Sequence, residues 1–272
     1  MFAPMNTEIA LNARAGFPDR GGGKKLIAAR AALMRLLWSA DGSRKIAAQP
    51  ALDQALAKLP PDELYWLSEL SPLGPIYLFP TTPFLRALAK QIRALGVTRV
   101  LEVAAGDGLL SRGLKKIAPD LQISASDSGA WEKPQGRMSA ADKREHDIKT
   151  LGGLSLGVEV RKLEAVRAIR DGNPELVLAS WIPPGKLLSK LIRSDVKYVL
   201  ELGAGSGVTG DLLCWRFAHE FLEGPLENLA RCRLDERPKH DLHSRATLYF
   251  GKAHEEFAEE RLGKDHWLRA MS

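Results

Sequence analysis

The sequence predicts an α/β fold: a doubly wound, mostly parallel sheet of seven strands with helices on both faces and an N-terminal helical cap. Strand and helix patterns alternate five times between residues 99 and 202, which is typical of an open parallel sheet. Two more apolar segments, at 229–234 and 246–250, have no regular helix between them. We expect them to pair as an antiparallel hairpin. Residues 1–80 form the predicted lead-in and cap, and residues 81–272 form the sheet domain.

The cap is predicted from apolar residues at helical spacing. Helices are expected at 24–38, 50–59 and 61–70, the last two opened by prolines. Four prolines in 71–83 predict an extended connector, because proline interrupts both helices and ladders. A helix at 84–95 then leads into the first strand.

Residues 98–111 are the segment around which the domain is organised. A short aliphatic strand, Arg99–Val103, ends in the small residues 104–108, and Leu109–Ile117 resumes helical spacing. Small side chains let backbone N–H groups and a helix N-terminus approach a ligand closely. An acidic residue beside the turn suits ribose hydroxyls or an ammonium group better than a pyrophosphate.

The remaining elements continue the alternation of strand and helix. Predicted strands are at 121–125, running on to an acid at Asp127, and at 157–160, 175–179 and 196–202. Predicted helices are at 139–149, 163–170, 187–192 and 252–262. Residues 203–210 are expected to form a glycine-rich loop, which with the cap would close over a substrate.

At this point the sequence resembles the class I S-adenosylmethionine-dependent methyltransferases over about residues 84–251. The segment EVAAGDG, from Glu102 to Gly108, is similar to their acidic-x-Gly-x-Gly-x-Gly turn, with Ala104 in place of the first glycine. The resemblance implies that Asp127 binds the ribose of the cofactor and that Glu164 faces its adenine amino group. Trp181, followed by two prolines, would be a rigid wall of the methyl-transfer site.

The resemblance implies S-adenosyl-L-methionine as cofactor and Rossmann-like binding of it. The cofactor-binding residues would be Glu102, Ala104, Gly106, Gly108, Asp127, Ser128, Glu164, Ala165, Ser180 and Trp181. The acceptor would contact Tyr77, Ile182, Pro183, Glu201, Gly205 and His219. No catalytic base is identified.

Several of these residues have a simpler interpretation. Asp127 is also placed to cap the turn that follows it, and Glu164 is also placed as a solvated helix residue. Trp181 is alternatively a core residue. His240 and His243 flank an Asp but lack a third ligand at suitable spacing, so no metal site is predicted.

Two alternatives concern the cofactor turn itself. A dinucleotide-binding turn would use Gly106, Gly108 and Ser111, although the antiparallel strand pair and the preceding acid favour S-adenosylmethionine. A second stretch, 198–207, matches the family turn more closely. Only about 65 residues follow it, too few for the expected strands, so the first turn is preferred and a permuted sheet is the alternative.

The predicted function is methyl transfer from S-adenosylmethionine to a small or medium acceptor of unknown identity. The net charge of +6 and the pI near 9.3 keep a nucleic-acid methyltransferase as an alternative. Lysines and arginines are scattered, however, rather than massed with aromatic residues. A regulatory protein that binds the cofactor without catalysis is the other alternative.

The composition predicts the cellular compartment of the protein. Only two cysteines are present, so no disulfide framework is implied and a reducing cytoplasm is expected. No apolar run approaches the roughly 18 residues that span a bilayer, and the N-terminus lacks the apolar core of a signal peptide. A cytoplasmic protein without a membrane partner is therefore expected. Its oligomeric state is not predicted.

Overall fold

The structure, a computed structural model, describes residues 23–39, 43–60, 78–129, 156–204, 209–222 and 244–254. Its helices are α1 (Lys24–Leu37), α2 (Gln49–Leu56), α3 (Thr82–Ala94), α4 (Leu109–Ile117), α5 (Ala165–Gly172) and α6 (Leu187–Ile192). Its strands are β1 (Arg99–Val103), β2 (Gln122–Asp127), β3 (Val160–Lys162), β4 (Leu176–Ser180), β5 (Tyr198–Ala204), β6 (His219–Phe221) and β7 (Ser244–Phe250). Two 3₁₀ turns cover Leu212–Arg216 and Lys252–His254.

The strands form one seven-stranded sheet in the order β3-β2-β1-β4-β5-β7-β6. β1 to β5 are parallel, whereas β7 runs antiparallel between β5 and β6. The predicted seven-stranded, mostly parallel sheet is thus confirmed. β1 lies between β2 and β4, where the strand order reverses. In open α/β sheets, ligands bind outside the carboxyl ends of the strands at this point.

Alternate residues of the central strands serve two separate cores. Leu178 and Leu200 lie in the core that contains α3 and α4, while Val177 and Val199 lie in the core that contains α5 and α6. All four side chains are fully buried. Burial on both faces explains why these strands are continuous apolar runs without a polar alternation.

The helix before β1 begins earlier than the sequence predicted. The connector expected to reach residue 83 ends at Thr81, whose hydroxyl accepts a hydrogen bond from the Phe84 N–H at 3.4 Å. Thr81 is therefore the N-cap. Pro83 lies in the first helical turn, where the missing N–H has no intrahelical partner to lose.

Several other predicted elements differ in extent. The third strand is Val160–Lys162 rather than 157–160, and the next helix, α5, extends to Gly172. The antiparallel partners of β7 are β5 and β6. β6 falls in a region predicted as loop. Predicted elements that lie outside the described residues are 61–70, 139–149, 229–234 and the end of 252–262.

The cap has a small apolar core of its own, which includes Leu33, Leu37 and Leu52. It is tied to the sheet domain by a hydrogen bond from the Thr81 hydroxyl to the Gln49 side-chain oxygen at 2.7 Å. A bridge also pairs residues 47 and 81. The division of the chain at residue 80 stays a prediction.

Candidate functional site

The turn after β1 has a left-handed backbone at three positions. Gly106 and Gly108 have φ of 54° and 69°, and Ala104 has φ of 51°. Only glycine adopts this region without cost. Ala104, which departs from the family pattern, therefore keeps the conformation that the usual glycine would have. Gly108 is the N-cap of α4, so the turn delivers the chain directly to a helix N-terminus.

Asp127 ties the end of β2 to this turn. One carboxylate oxygen accepts the Gly106 N–H at 2.9 Å, and the other accepts the Gly129 N–H at 2.8 Å. The second bond is the turn-capping role that the sequence offered as an alternative. Each carboxylate oxygen can accept more than one hydrogen bond, so capping and a ribose contact are compatible.

Glu102 is buried beneath the same turn. Its carboxylate accepts hydrogen bonds from the Ser111 N–H, at 2.9 Å, and from the Ser111 hydroxyl. Burial raises the pKa of Glu102 to about 7, although the two bonds from Ser111 oppose this. Since the side chain is 3% exposed, it anchors the first turn of α4 to β1 and does not face solvent.

Asp107 connects the turn to the cap. The Arg44 guanidinium donates from two nitrogens to the two Asp107 carboxylate oxygens, at 2.8 and 3.3 Å. One of these oxygens also accepts the Leu109 N–H at 3.1 Å. The sequence did not identify Arg44, because it lies 63 residues away and belongs to no motif.

The ends of β2 and β3 lie beside the turn. Ser128 is exposed after β2, and exposed Glu164 is the N-cap of α5 without a side-chain capping bond. Ala165 is the first residue of that helix. The Ser126 hydroxyl, near the end of β2, is buried without a hydrogen-bond partner.

The end of β4 is strained. Trp181 has φ of 49°, which for a bulky residue costs on the order of 1–3 kcal/mol, and its N–H donates to the Leu202 carbonyl at 2.8 Å. Its side chain packs partly buried against the core, beside the half-buried Ser180. Ile182 is a core residue at 1% exposure, whereas Pro183 is exposed.

The acceptor residues predicted on β5 and β6 lie on the other side of the sheet from Glu102. Glu201 is 4% exposed. Its carboxyl accepts from the Thr209 hydroxyl at 2.6 Å and from the Tyr249 hydroxyl at 3.5 Å. Burial raises the pKa of Glu201. His219 lies in β6 with its ring 5.5 Å from that of Tyr249. Tyr77 and Gly205 lie outside the described residues.

The two glycine-rich stretches occupy different places in the sheet. β1, which precedes the first, is flanked by two parallel strands and has Asp127 at the end of its neighbour. β5, which precedes the second, is flanked by antiparallel β7. This arrangement agrees with the choice of the first turn, since an acid-bearing parallel neighbour is present only there.

Two observations concern metals and membranes. Among the residues that the structure describes, no group of three or more His, Cys, Asp or Glu side chains is placed to hold a metal ion. Within the same residues, no helix has the length and apolar character needed to cross a bilayer.

No protein-family model and no curated protein sequence matches the chain, but solved structures do. One is a Staphylococcus aureus protein assigned as a caffeoyl-CoA O-methyltransferase, with 16% identity and a TM-score of 0.25 over 43% of this chain and 55% of that one. Another is the CMeT domain of the citrinin polyketide synthase, with 13% identity and a TM-score of 0.35 over 84% and 66%.

A third match is human N-acetylserotonin methyltransferase in complex with S-adenosylmethionine, with 10% identity and a TM-score of 0.33 over 89% of this chain and 70% of that one. The matched structures therefore include the class of enzyme that the sequence resembles. The chain spans about half the length of the first structure and two thirds of the second.

Proposed function

We propose that this protein is an S-adenosylmethionine-dependent methyltransferase acting on a small or medium acceptor. One observation carries the proposal: the left-handed turn after β1 is held to the end of β2 by the hydrogen bond from Gly106 to Asp127, 2.9 Å long. A small-residue turn with an acid at the neighbouring strand end suits a ligand with ribose hydroxyls. The position of antiparallel β7 between β5 and β6 differs from the strand order 3-2-1-4-5-6 of a dinucleotide-binding sheet, and this favours the methyltransferase proposal.

In this proposal, the residues around the turn bind and orient the cofactor. Gly106 and Gly108 let the ligand approach the backbone, Asp127 accepts the ribose hydroxyls, and Glu164 faces the adenine. Glu102 has an indirect role, because its buried carboxyl fixes Ser111 and so the direction of α4. The bound cofactor would supply a methyl group already activated on a sulfonium, so the protein mainly aligns the acceptor and excludes water.

The strand ends beyond β4 are the proposed acceptor side. Trp181 forms a rigid wall there, since its strained backbone is fixed by the bond to Leu202. Pro183 is exposed next to it. The Glu201 carboxyl accepts a hydrogen bond from Thr209, the first described residue after β5. Its proposed contribution to the acceptor site is therefore indirect.

The proposal is tested by measuring turnover. Purified protein is incubated with S-adenosylmethionine and a mixed pool of small-molecule acceptors, and formation of S-adenosylhomocysteine is followed. We expect acceptor-dependent product above a control with Gly108→Val protein. If the wild type binds the cofactor but yields no product with any pool, the regulatory alternative replaces this proposal.

A further inference from the structure

Arg245 lies at the edge of the sheet that carries the cofactor turn. The strand registers align Val103 of β1 with Ala179, Ala179 with Glu201, and Glu201 with Thr247. Arg245 is two residues further toward this edge and pairs with Gly203. It is therefore level with the turn that follows β1.

The Arg245 guanidinium lies over two neighbouring aromatic rings. Its guanidinium carbon is 4.1 Å from the centre of the Trp215 ring and 5.1 Å from that of Phe221. The ring of His219 lies against both aromatic residues, at 5.2 and 5.5 Å between centroids. Stacking of this kind fixes a guanidinium plane while leaving its N–H groups free to donate.

Arg245 forms no ion pair within 4 Å in the part of the chain that the structure describes, although the carboxyl of Glu201 attracts it electrostatically. Its Nε is buried without a hydrogen-bond acceptor. The nearby carboxyl of Glu201 is itself buried and is engaged by Thr209 and Tyr249. Burial lowers the pKa of Arg245 from its ordinary value, yet an arginine remains protonated in a protein.

Several other arginines of the described structure form ion pairs. Arg44, Arg93 and Arg99 form ion pairs with Asp107, Asp120 and Glu175 respectively. A buried donor without an acceptor costs about 1–3 kcal/mol, so the unpartnered Nε of Arg245 requires an explanation. Arg245 as a whole is half-buried, so an oxyanion of a ligand would neutralise its charge at the terminal nitrogens, because the guanidinium fork matches carboxylate and phosphate groups.

We propose that Arg245, which lies over the neighbouring rings of Trp215 and Phe221, binds an oxyanion of the methyl acceptor. This inference rests on the proposed function. β7 is three strand spacings from β1, or roughly 14 Å. The acceptor class is therefore a small molecule that carries a carboxylate or phosphate group and an apolar body that contacts the rings.

The test measures binding of simple probes to the full-length protein saturated with S-adenosylhomocysteine. The probes are benzoate, phenyl phosphate and uncharged benzyl alcohol, each titrated by ligand-observed NMR against wild type and Arg245→Gln. We expect one or both anions to bind at least tenfold more tightly than the alcohol. Arg245→Gln should lose at least tenfold in affinity for the anion that binds, and the stronger of the two anions identifies the oxyanion.

Two further variants serve as controls for this result. Arg193→Gln is the matched control, because Arg193 also stacks on an aromatic ring, Phe217, at 5.3 Å. It should bind the anions as wild type does. Arg245→Lys keeps the charge but loses the planar fork, so anion affinity should fall several-fold in a folded protein.

Equal anion affinity in wild type, Arg245→Gln and Arg245→Lys would overturn the inference. So would absence of anion binding to wild-type protein that binds S-adenosylhomocysteine. If S-adenosylhomocysteine itself fails to bind while the probes still depend on Arg245, the oxyanion site stands and the methyltransferase proposal fails.

Discussion

Replacing Asp127 with Asn separates the two roles that the structure gives to this carboxylate. Both of its oxygens accept backbone N–H groups, from Gly106 at 2.9 Å and Gly129 at 2.8 Å. Asparagine retains one acceptor oxygen, but its NH₂ group then faces a backbone donor. One charge-assisted bond is lost and one N–H at this buried position is left unsatisfied.

The expected loss of stability is about 2 kcal/mol, since a bond to a charged group contributes about 1.5–3 kcal/mol. For a chain of this size that corresponds to a fall in Tm of roughly 4–8 °C. If the carboxylate also accepts the ribose hydroxyls, the folded variant should bind S-adenosylhomocysteine about ten- to a hundredfold more weakly. Thermal unfolding and isothermal titration measure the two effects separately.

Asp120→Asn is the matched control. Asp120 is an exposed carboxylate that pairs with Arg93 on the surface, where such pairs contribute about 0–1 kcal/mol. It should leave cofactor affinity unchanged. If folded Asp127→Asn protein binds S-adenosylhomocysteine as tightly as the wild type, Asp127 is only a turn residue and the reasoning about the ribose is refuted.

Three more substitutions test the turn. The raised pKa of Glu102, about 7 against an ordinary 4.5, means that the folded state holds its proton more tightly, so stability falls as pH rises from about 4.5 to 7. In urea unfolding, the free energy of unfolding of Glu102→Gln should therefore rise by about 3 kcal/mol relative to that of the wild type over this pH range. A difference between the two proteins that does not change with pH would contradict this. Ala104→Gly removes the backbone strain of a left-handed alanine and should raise the free energy of unfolding by up to about 1 kcal/mol. A fall in the free energy of unfolding would show that the alanine backbone is not strained. Gly108→Val puts a β-branched residue at φ of 69° with its Cβ 2.7 Å from a Val160 methyl. This substitution should abolish binding of S-adenosylhomocysteine in a titration. Retained affinity would contradict a role of the turn in cofactor binding.

Three elements have the bounds that the sequence predicted, and in each of them apolar residues are bounded by clear end signals. Arg99–Val103, Leu109–Ile117 and Leu187–Ile192 have the predicted bounds. Each is buried on the side that its pattern indicates. The local sequence was sufficient to predict these bounds, because the apolar pattern and the residues at the ends indicate the same limits.

The elements that differ depend on distant pairing. β6 is three residues long with no buried member and exists through its ladder with β7, so no periodic pattern marks it. β3 buries only Val160, and its register is set by β2. One buried residue is not enough to predict where an edge strand begins and ends.

The candidate site shows the same contrast. The position of Asp127 beside the turn follows from parallel strands that end at one edge, which the sequence predicted. The Arg44–Asp107 pair and the stacked Arg245 join segments that are far apart in sequence. The left-handed backbone at Trp181 is likewise set by its bond to a neighbouring strand. Such contacts arise only when the sheet is assembled.

The central claim is that the turn after β1 binds S-adenosylmethionine. Isothermal titration of the wild-type protein with S-adenosylmethionine, S-adenosylhomocysteine and NAD tests it most directly. We expect saturable binding of the first two and none of NAD. At a hundredfold excess over Kd, a ligand specific for the folded state adds about 2.7 kcal/mol of stability, so a thermal shift should accompany binding. Binding of NAD with equal or greater affinity, or binding of none of the three, would contradict the claim.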